Sequence, residues 1–483
     1  MAKTKKKGNR ILFVAAECAP YCRTGGLGDV AGALPKALAE LGNDVTVVIP
    51  LYSSISNDYK YTMKYLGSTY VSLSWRNQYC GVFEQNNKGV RYVFLDNEYY
   101  FKREGLYGHY DDAEKFAFFS KAVLEVLPML GEFPEIIHCN DWHTALVPVF
   151  LDSMYREKEG YQNIKTMFTI HNIEFQGKYG KNIIDDVLGL PSDKAQLLEY
   201  CDHVNFVKGA IECSNIVTTV SETYAHEIFD DYFAFGLRDI LTARAFKIRG
   251  VLNGIDQVVF DPAKDPALFE NYSVKTLEKR AINKQGLCSM LNLPYDPQKP
   301  ILAIVSRLTT QKGLDLLAGA LDRLLEGEVQ LVVLGTGEWK FESMFKTFES
   351  IYGNKLRVVC SFSSDLASKI YAGSDIFLMP SKFEPCGLSQ MIAMRYGSVP
   401  VVRETGGLKD TVIPYDPTTG EGKGFTFYSY NCEDMLDSIW RAVDTFYNRK
   451  EEWKKIMQNG MNSDFSWNVS AKKYESLYKE MLN

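Results

Sequence analysis

The sequence predicts an α/β protein made of two Rossmann-like, doubly wound domains facing a cleft. Three observations carry this. Short apolar runs alternate with helical patterns almost throughout, as in parallel sheets covered by helices. The alternation changes register once, near Val251 to Asp265, where Asn253-Gly254 signals a turn and Asp and Pro accumulate up to Pro266. Glycine-bearing loops follow apolar runs in both halves. A chain of 483 residues is long enough for two such domains.

The elements follow in order. Ile11 to Ala16 reads as a strand, a glycine turn comes next, and a helix runs from about Gly28 to Leu41. Val45 to Ile49, Arg91 to Leu95, Ile136 to Cys139, Lys165 to Ile170 and Ile216 to Val220 continue the first series. Ile301 to Ser306, Val329 to Gly335, Leu356 to Cys360, Ile376 to Met379 and Val399 to Val402 form the second. Each is short and mostly apolar, as expected of strands buried on both faces. Ser466 to Leu482 is helical by pattern and lies beyond the second series. The expected division is residues 1–252, residues 253–465, and a terminal helix over residues 466–483.

Composition excludes several classes. With 46% hydrophobic and 24% charged residues the chain reads as ordinary globular protein, and a net charge of -6 argues against a nucleic-acid partner. Ten cysteines form no CxxC pair. Cys18 and Cys22 stand four apart without a second pair or nearby His, so buried thiols fit better than a metal site. Met1 to Arg10 is basic and polar and reads as a solvated tail, and no apolar run reaches membrane-spanning length. A cytoplasmic protein without a membrane partner is expected. Tyr59, Tyr61 and Tyr65 read as strand and loop packing rather than as a ligand surface.

The loops point to a phosphorylated ligand. Arg23-Thr24-Gly25-Gly26-Leu27-Gly28-Asp29 follows the first strand; glycines admit a ligand close to the backbone, and Arg23 adds charge. The spacing is not that of GxGxxG. In the second half Arg307 ends a strand, and Gln311-Lys312-Gly313 opens the next helix. A planar fork and a compact ammonium five residues apart suit a diphosphate. Thr405-Gly406-Gly407-Leu408 repeats the Thr-Gly-Gly-Leu of the first half and offers amides at a helix start; Gly335 lies in a further strand-end turn. Glu384 follows the run Ile376 to Met379 in a turn leading to a helix from Leu388. There an ionised carboxylate can orient sugar hydroxyls or offset positive charge. His138, His143 and His171 lie at two strand ends of the first half. No GxSxG elbow, HExxH or Walker loop is present.

Together these segments resemble bacterial glycogen synthases and plant starch synthases. The resemblance rests on Arg23 to Val30, Asp141 to His143, Thr169 to Gly177, Ser306 to Gly313, Pro380 to Leu388 and Thr405 to Val412, in order, and spans Ile11 to beyond Trp467. It implies a GT-B glycosyltransferase that moves glucose from a nucleotide diphosphate sugar, usually ADP-glucose, to the non-reducing end of an α-1,4-glucan. Retention at the anomeric carbon, no metal and no cofactor are implied, as is a last helix that crosses back onto the first domain. Arg307 and Lys312 match the cations that hold the diphosphate, Glu384 the carboxylate near the donor glucose, and His171 the histidine near the reacting bond. Cys386, Gly387 and Leu388 match the turn whose backbone meets the sugar, and Thr405, Gly406, Gly407 and Leu408 the phosphate-binding helix start. Gly25, Gly26, Asp29, Asp141 and Asn253 match first-domain and hinge positions of the sugar site, and Tyr107 an aromatic of the same cleft. Arg23 stands where the family usually has Lys. Alternatives are the same reaction with UDP-glucose and a non-catalytic glucan-binding relative. A dinucleotide oxidoreductase is disfavoured by the missing GxGxxG, and a pyridoxal-phosphate phosphorylase would show its Schiff base in absorbance.

Overall fold

The computed structural model describes residues 8–483; most of the basic tail expected over Met1 to Arg10 lies outside them. The chain forms two compact units, one taking it up to Gly254 together with Trp467–Asn483, the other Ile255–Ser466.

The first unit is organised by a nine-stranded sheet. Its strands are β1 (Arg10–Val14), β2 (Asp44–Pro50), β3 (Lys64–Leu73), β4 (Arg76–Asn87), β5 (Val90–Asp96), β6 (Ile136–Asn140), β7 (Lys165–Ile170), β11 (Ile216–Thr219) and β12 (Ile248–Gly250). A small separate sheet uses β8 (Lys178–Tyr179), β9 (Glu199–Tyr200) and β10 (His203–Asn205). The order β12-β11-β7-β6-β1-β2-β5-β4-β3 places β1 between β2 and β6. The chain therefore reverses its winding direction between β1 and β6, which is where doubly wound sheets open a crevice beyond the strands' carboxyl ends. β6 is buried at every position, and each Ile or Leu so buried contributes about 1.5–3 kcal/mol.

The β3–β4 hairpin corrects the sequence reading. The sheet is not wholly parallel, because β3 and β4 form an antiparallel hairpin that continues into β5. Its outer strand mixes polar and apolar residues and has no continuous apolar run, so a search for buried parallel strands passes over it. Tyr59 meets the Tyr21 ring at 5.0 Å and Tyr65 on β3 the Phe83 ring at 5.1 Å, as expected of packing, whereas Tyr61 is 83% exposed. The helix Trp467–Leu482 belongs to this unit. The Tyr478 hydroxyl meets His138 Nδ1 at 2.7 Å and Lys473 pairs with Glu222.

The second unit has a six-stranded, all-parallel sheet, β13 (Ile301–Val305), β14 (Gln330–Leu334), β15 (Leu356–Val359), β16 (Ile376–Met379), β17 (Val399–Arg403) and β18 (Phe425–Phe427). The order is β15-β14-β13-β16-β17-β18, which puts the reversal between β13 and β16. The three residues of β18 are too few to carry a pattern, and the sequence reading missed them. Leu302, Ile304, Leu331, Val333, Leu378 and Val401 form one side of a core closed by Phe446, Trp453 and Ile456.

Candidate active site

Each unit carries a set of polar residues where its winding reverses. In the second unit Arg307 leaves β13 and Glu384 leaves β16, neighbours in the sheet although far apart in sequence. Lys312 Nζ meets Glu384 Oε2 at 2.6 Å, with side chains only 16% and 7% exposed. Ser381 Oγ donates to the same oxygen at 3.1 Å. The Arg307 side chain is exposed and forms no ion pair among the described residues. The turn leaving β13 thus carries an exposed guanidinium and, five residues on, an internally neutralised ammonium, a combination suited to an anion that arrives with its own charge.

Three expectations change here. Lys312 does not open a helix. It closes a 3-10 turn, Thr310–Lys312, and the helix starts at Leu314. Gly313 turns left-handed at φ 73°, and a Cβ there would lie 1.9 Å from the Pro380 carbonyl oxygen, which locks this turn onto the β16 exit. Leu388 is the cap of the helix Ser389–Arg395 rather than its first residue. The Thr405–Leu408 amides do not form a vacant phosphate cap. Thr405 donates to Arg403 O, Gly407 to Glu384 O at 3.2 Å, and Leu408 to Thr405 O. Gly406 and Gly407 are glycines because a Cβ would strike Glu384 O at 2.0 Å or Cys386 O at 2.1 Å; this loop buttresses the Glu384 turn. Gly335 likewise packs against Ser306 O.

In the first unit the β1 exit carries the glycine loop. Gly26 has no atom within 4 Å of its absent Cβ and Gly25 only Glu17 Oε1, at 4.0 Å; unlike Gly406 and Gly407, neither is closed in at its Cβ position, although the Gly25 amide bonds Glu17. The loop hangs from Glu17, a buried carboxylate that accepts from Thr24 Oγ1 at 2.9 Å, while Thr24 Oγ1 also meets the Tyr107 hydroxyl at 3.3 Å. Burial raises the Glu17 carboxyl, offset in part by the Thr24 amide and hydroxyl. Arg23 Nη1 pairs with Asp29 Oδ1 at 2.6 Å, and both groups are more than a third exposed, where such pairs are worth about 0–1 kcal/mol.

The β6 and β7 exits bring Asp141 and His171 together, the His171 amide donating to Asp141 Oδ1 at 2.9 Å. Asn140 Nδ2 donates to Val14 O and His138 O, which fixes its amide and points Oδ1 at His171 Nε2, 3.0 Å away. Nε2 therefore carries the proton and Nδ1 remains an acceptor. Burial pushes His171 down to about 3, so the ring is neutral. The three histidines of the sequence reading separate here. His138 is fully buried, bonded to Tyr478 and Thr169. His143 is stacked between Tyr107 at 4.5 Å and Trp142 at 4.2 Å. Of the three, His171 alone joins Asp141. Asn253 is buried, and its Oδ1 has no hydrogen-bond partner among the described residues.

Asp141 sits at φ 60°, a conformation uncommon for a residue with a side chain. Burial pushes its carboxyl from 3.8 up to about 7, against the pull of the His171 and Asn172 amides. The native state thus holds a proton that the unfolded chain has lost, and this group takes stability away as pH rises from about 4 to about 7. Asp141→Asn is expected to gain stability over the unaltered protein progressively across that window and to level off above it. Urea unfolding at several pH values checks this, and a pH-independent offset would count against it.

The sequence reading missed Glu17, Thr24, Asn140, Ser381 and two exposed rings at the β14 and β15 exits, Trp339 and Phe362. An acid directly after a buried strand, as at Glu17, was the available signal. Among the described residues no group of three or more His, Cys, Asp or Glu could hold a metal ion, and no helix is long and apolar enough to cross a membrane.

Comparison with known proteins gives consistent matches. A family model described as the starch synthase catalytic domain matches residues 10–243, and one described as glycosyl transferases group 1 matches residues 292–460. A glycogen synthase of Anoxybacillus flavithermus is 48% identical over 476 residues, 98% of either chain. One of Clostridium acetobutylicum is 49% identical over 476 residues, 98% of this chain and 100% of its own. The catalytic domain of starch synthase IV from Arabidopsis thaliana, solved with ADP and acarbose, superposes with a TM-score of 0.91 at 35% identity, covering 98% of this chain and 99% of that one. A sucrose-phosphate synthase from Thermosynechococcus elongatus, at 17% identity and a TM-score of 0.62, shares the fold.

Proposed function

The chain belongs to the glycogen and starch synthase family, and from that premise we propose that it lengthens an α-1,4-glucan at its non-reducing end with glucose from ADP-glucose, retaining the anomeric configuration. It is a GT-B glycosyltransferase. The observation that carries the reading is the β13/β16 reversal, where the buried Lys312–Glu384 pair joins the turns that leave β13 and β16 and the exposed Arg307 leaves the same end of β13.

Breaking the glucose–phosphate bond puts negative charge on the leaving diphosphate and positive character on the sugar. Arg307 and Lys312 meet the first, Lys312 already oriented in a partly dry site and Arg307 from the exposed end of β13. Glu384 meets the second and keeps Lys312 in place until the donor arrives. Strand order sets the ligand's direction: Phe362 at the β15 exit stacks the base, Arg307 at the β13 exit takes the diphosphate, and the Glu384 turn takes the glucose. In the first unit, neutral His171 accepts a sugar hydroxyl at Nδ1 and Asp141 holds its backbone. Tyr107, Asp29, Asn253 and the Gly25-Gly26 loop are the first unit's further contacts for the sugars. The glucosyl C1–O bond to phosphate breaks, a C1–O4 bond to the glucan forms, and the acceptor's proton passes to the leaving diphosphate. Two paired carboxylates are not required, as they would be in a glycosidase. The reading includes no metal and no cofactor and places the reaction in the cytoplasm.

The test is glucose incorporation into glycogen from ADP-glucose and from UDP-glucose in parallel, without added metal, with Glu384→Gln as control. Transfer from ADP-glucose that this substitution abolishes supports the reading. Preference for UDP-glucose would keep the reaction and change the donor, and binding of glucan without transfer would leave a non-catalytic relative. Arg23→Lys is expected to change kcat/KM by less than about fivefold, because its exposed pair with Asp29 is worth about 0–1 kcal/mol. A tenfold rise would show that arginine compromises this loop.

A further inference from the structure

We propose that Gln390 is a positioning residue that aims two backbone amides of the sugar-binding turn outward and ties that turn to the Thr405–Thr411 segment. The proposal deepens the functional reading above and rests on it for its catalytic consequence.

Gln390 is fully buried in the first turn of the helix Ser389–Arg395. Its Nε2 donates to the carbonyls of Cys386 at 3.1 Å and Gly387 at 2.9 Å and approaches Thr411 Oγ1 at 3.1 Å. The Thr411 hydroxyl donates in turn to Gly407 O at 2.6 Å. One amide group thus joins two loops about twenty residues apart. Its oxygen pays a cost that a structural side chain would avoid, since Gln390 Oε1 is buried with no hydrogen-bond partner among the described residues. An amide kept there unsatisfied calls for a reason.

Peptide geometry supplies one. In a trans peptide the C=O and the following N–H point in opposite directions. With the Cys386 and Gly387 carbonyls turned inward onto Gln390, the amides of Gly387 and Leu388 face away from it. Neither amide has a hydrogen-bond partner among the described residues, although both residues are only partly exposed. Two free N–H groups aimed the same way, next to Glu384, can donate to the oxygens of a donor sugar or its phosphate. Gly387 completes the arrangement. Its φ is 70°, and a Cβ would come within 2.5 Å of Gln390 Oε1, so no side chain fits between the turn and the residue that aims it.

The test uses Gln390→Met, which keeps volume and removes the donor, and Thr411→Val, which cuts the link to the second loop but leaves both carbonyl bonds. Amide hydrogen exchange without ligand is read first. Gln390→Met is expected to loosen the segments 384–390 and 403–412 together, and Thr411→Val to loosen the second while partly sparing the first. Kinetics follow on the full chain. Gln390→Met is expected to lower kcat for transfer by roughly 100-fold, the scale of a misplaced reacting group, while ADP affinity, which rests on the cations, stays within about twofold. The double variant is expected to be no worse than Gln390→Met alone, because both changes break one network. Unchanged exchange in both segments overturns the proposal, as does a kcat within about threefold of the unaltered protein. Loss of ADP affinity in parallel with kcat would reduce Gln390 to a general packing role and overturn it too. If the unaltered protein transfers no glucose, the functional reading fails, and the exchange experiment still decides the positioning claim.

Discussion

Arg307→Ala is expected to lower kcat/KM for ADP-glucose by about two orders of magnitude while leaving thermal unfolding where it was. The side chain is exposed and forms no ion pair among the described residues, so its removal leaves no buried group unsatisfied. Its contribution falls on the departing diphosphate, where one preorganised donor supplies on the order of 3 kcal/mol. That corresponds to about a hundredfold in rate. Steady-state kinetics and a melting curve on the same preparation check it. A loss of activity with a matching loss of stability would mean that Arg307 supports the β13 exit rather than the ligand.

Lys312→Ala is expected to behave differently although both residues are cations of one site. Activity falls by a similar or larger factor, and stability falls as well, because Glu384 is left 7% exposed without its 2.6 Å partner. Removing one member of a buried pair costs about 3–5 kcal/mol. Adding Glu384→Gln to Lys312→Ala removes the orphaned charge, so the double variant is expected to regain part of the stability and none of the activity. Denaturant unfolding of the two singles and the double closes the cycle. Recovery of activity in the double variant would show that Lys312 serves only to neutralise Glu384.

The two variants differ for a reason that composition and spacing do not contain. Arg307 and Lys312 were both legible as cations at the ligand edge of a sheet, because a basic residue just after an apolar run, and another in the glycine turn that follows, are local patterns. That Lys312 is held by Glu384, 72 residues later, depends on β16 lying beside β13 rather than beside β15. The same holds in the first unit. His138 and His171 looked alike at their strand ends, yet one is bonded to a helix 340 residues away and the other to Asn140. The Thr405–Leu408 loop shows the reverse error. Its Thr-Gly-Gly-Leu sequence matched that of the first loop, but its Thr405, Gly407 and Leu408 amides are bonded within the protein, that of Gly407 to the Glu384 turn, and the Glu384 turn packs against Gly406 and Gly407, whereas the Cβ position of Gly26 is open.

Two wound parallel sheets, glycine loops at their strand ends and the residue types of the site could therefore be read from the chain alone, since burial on both faces and sharp turns leave their marks within a few neighbouring residues. The antiparallel hairpin of β3 and β4 left no such mark, because one of its faces is open to water. Which cation is free, which is paired, and which amides face outward were settled by folding. Those properties depend on strand order and on side chains meeting across tens to hundreds of residues, where no local pattern specifies the partner.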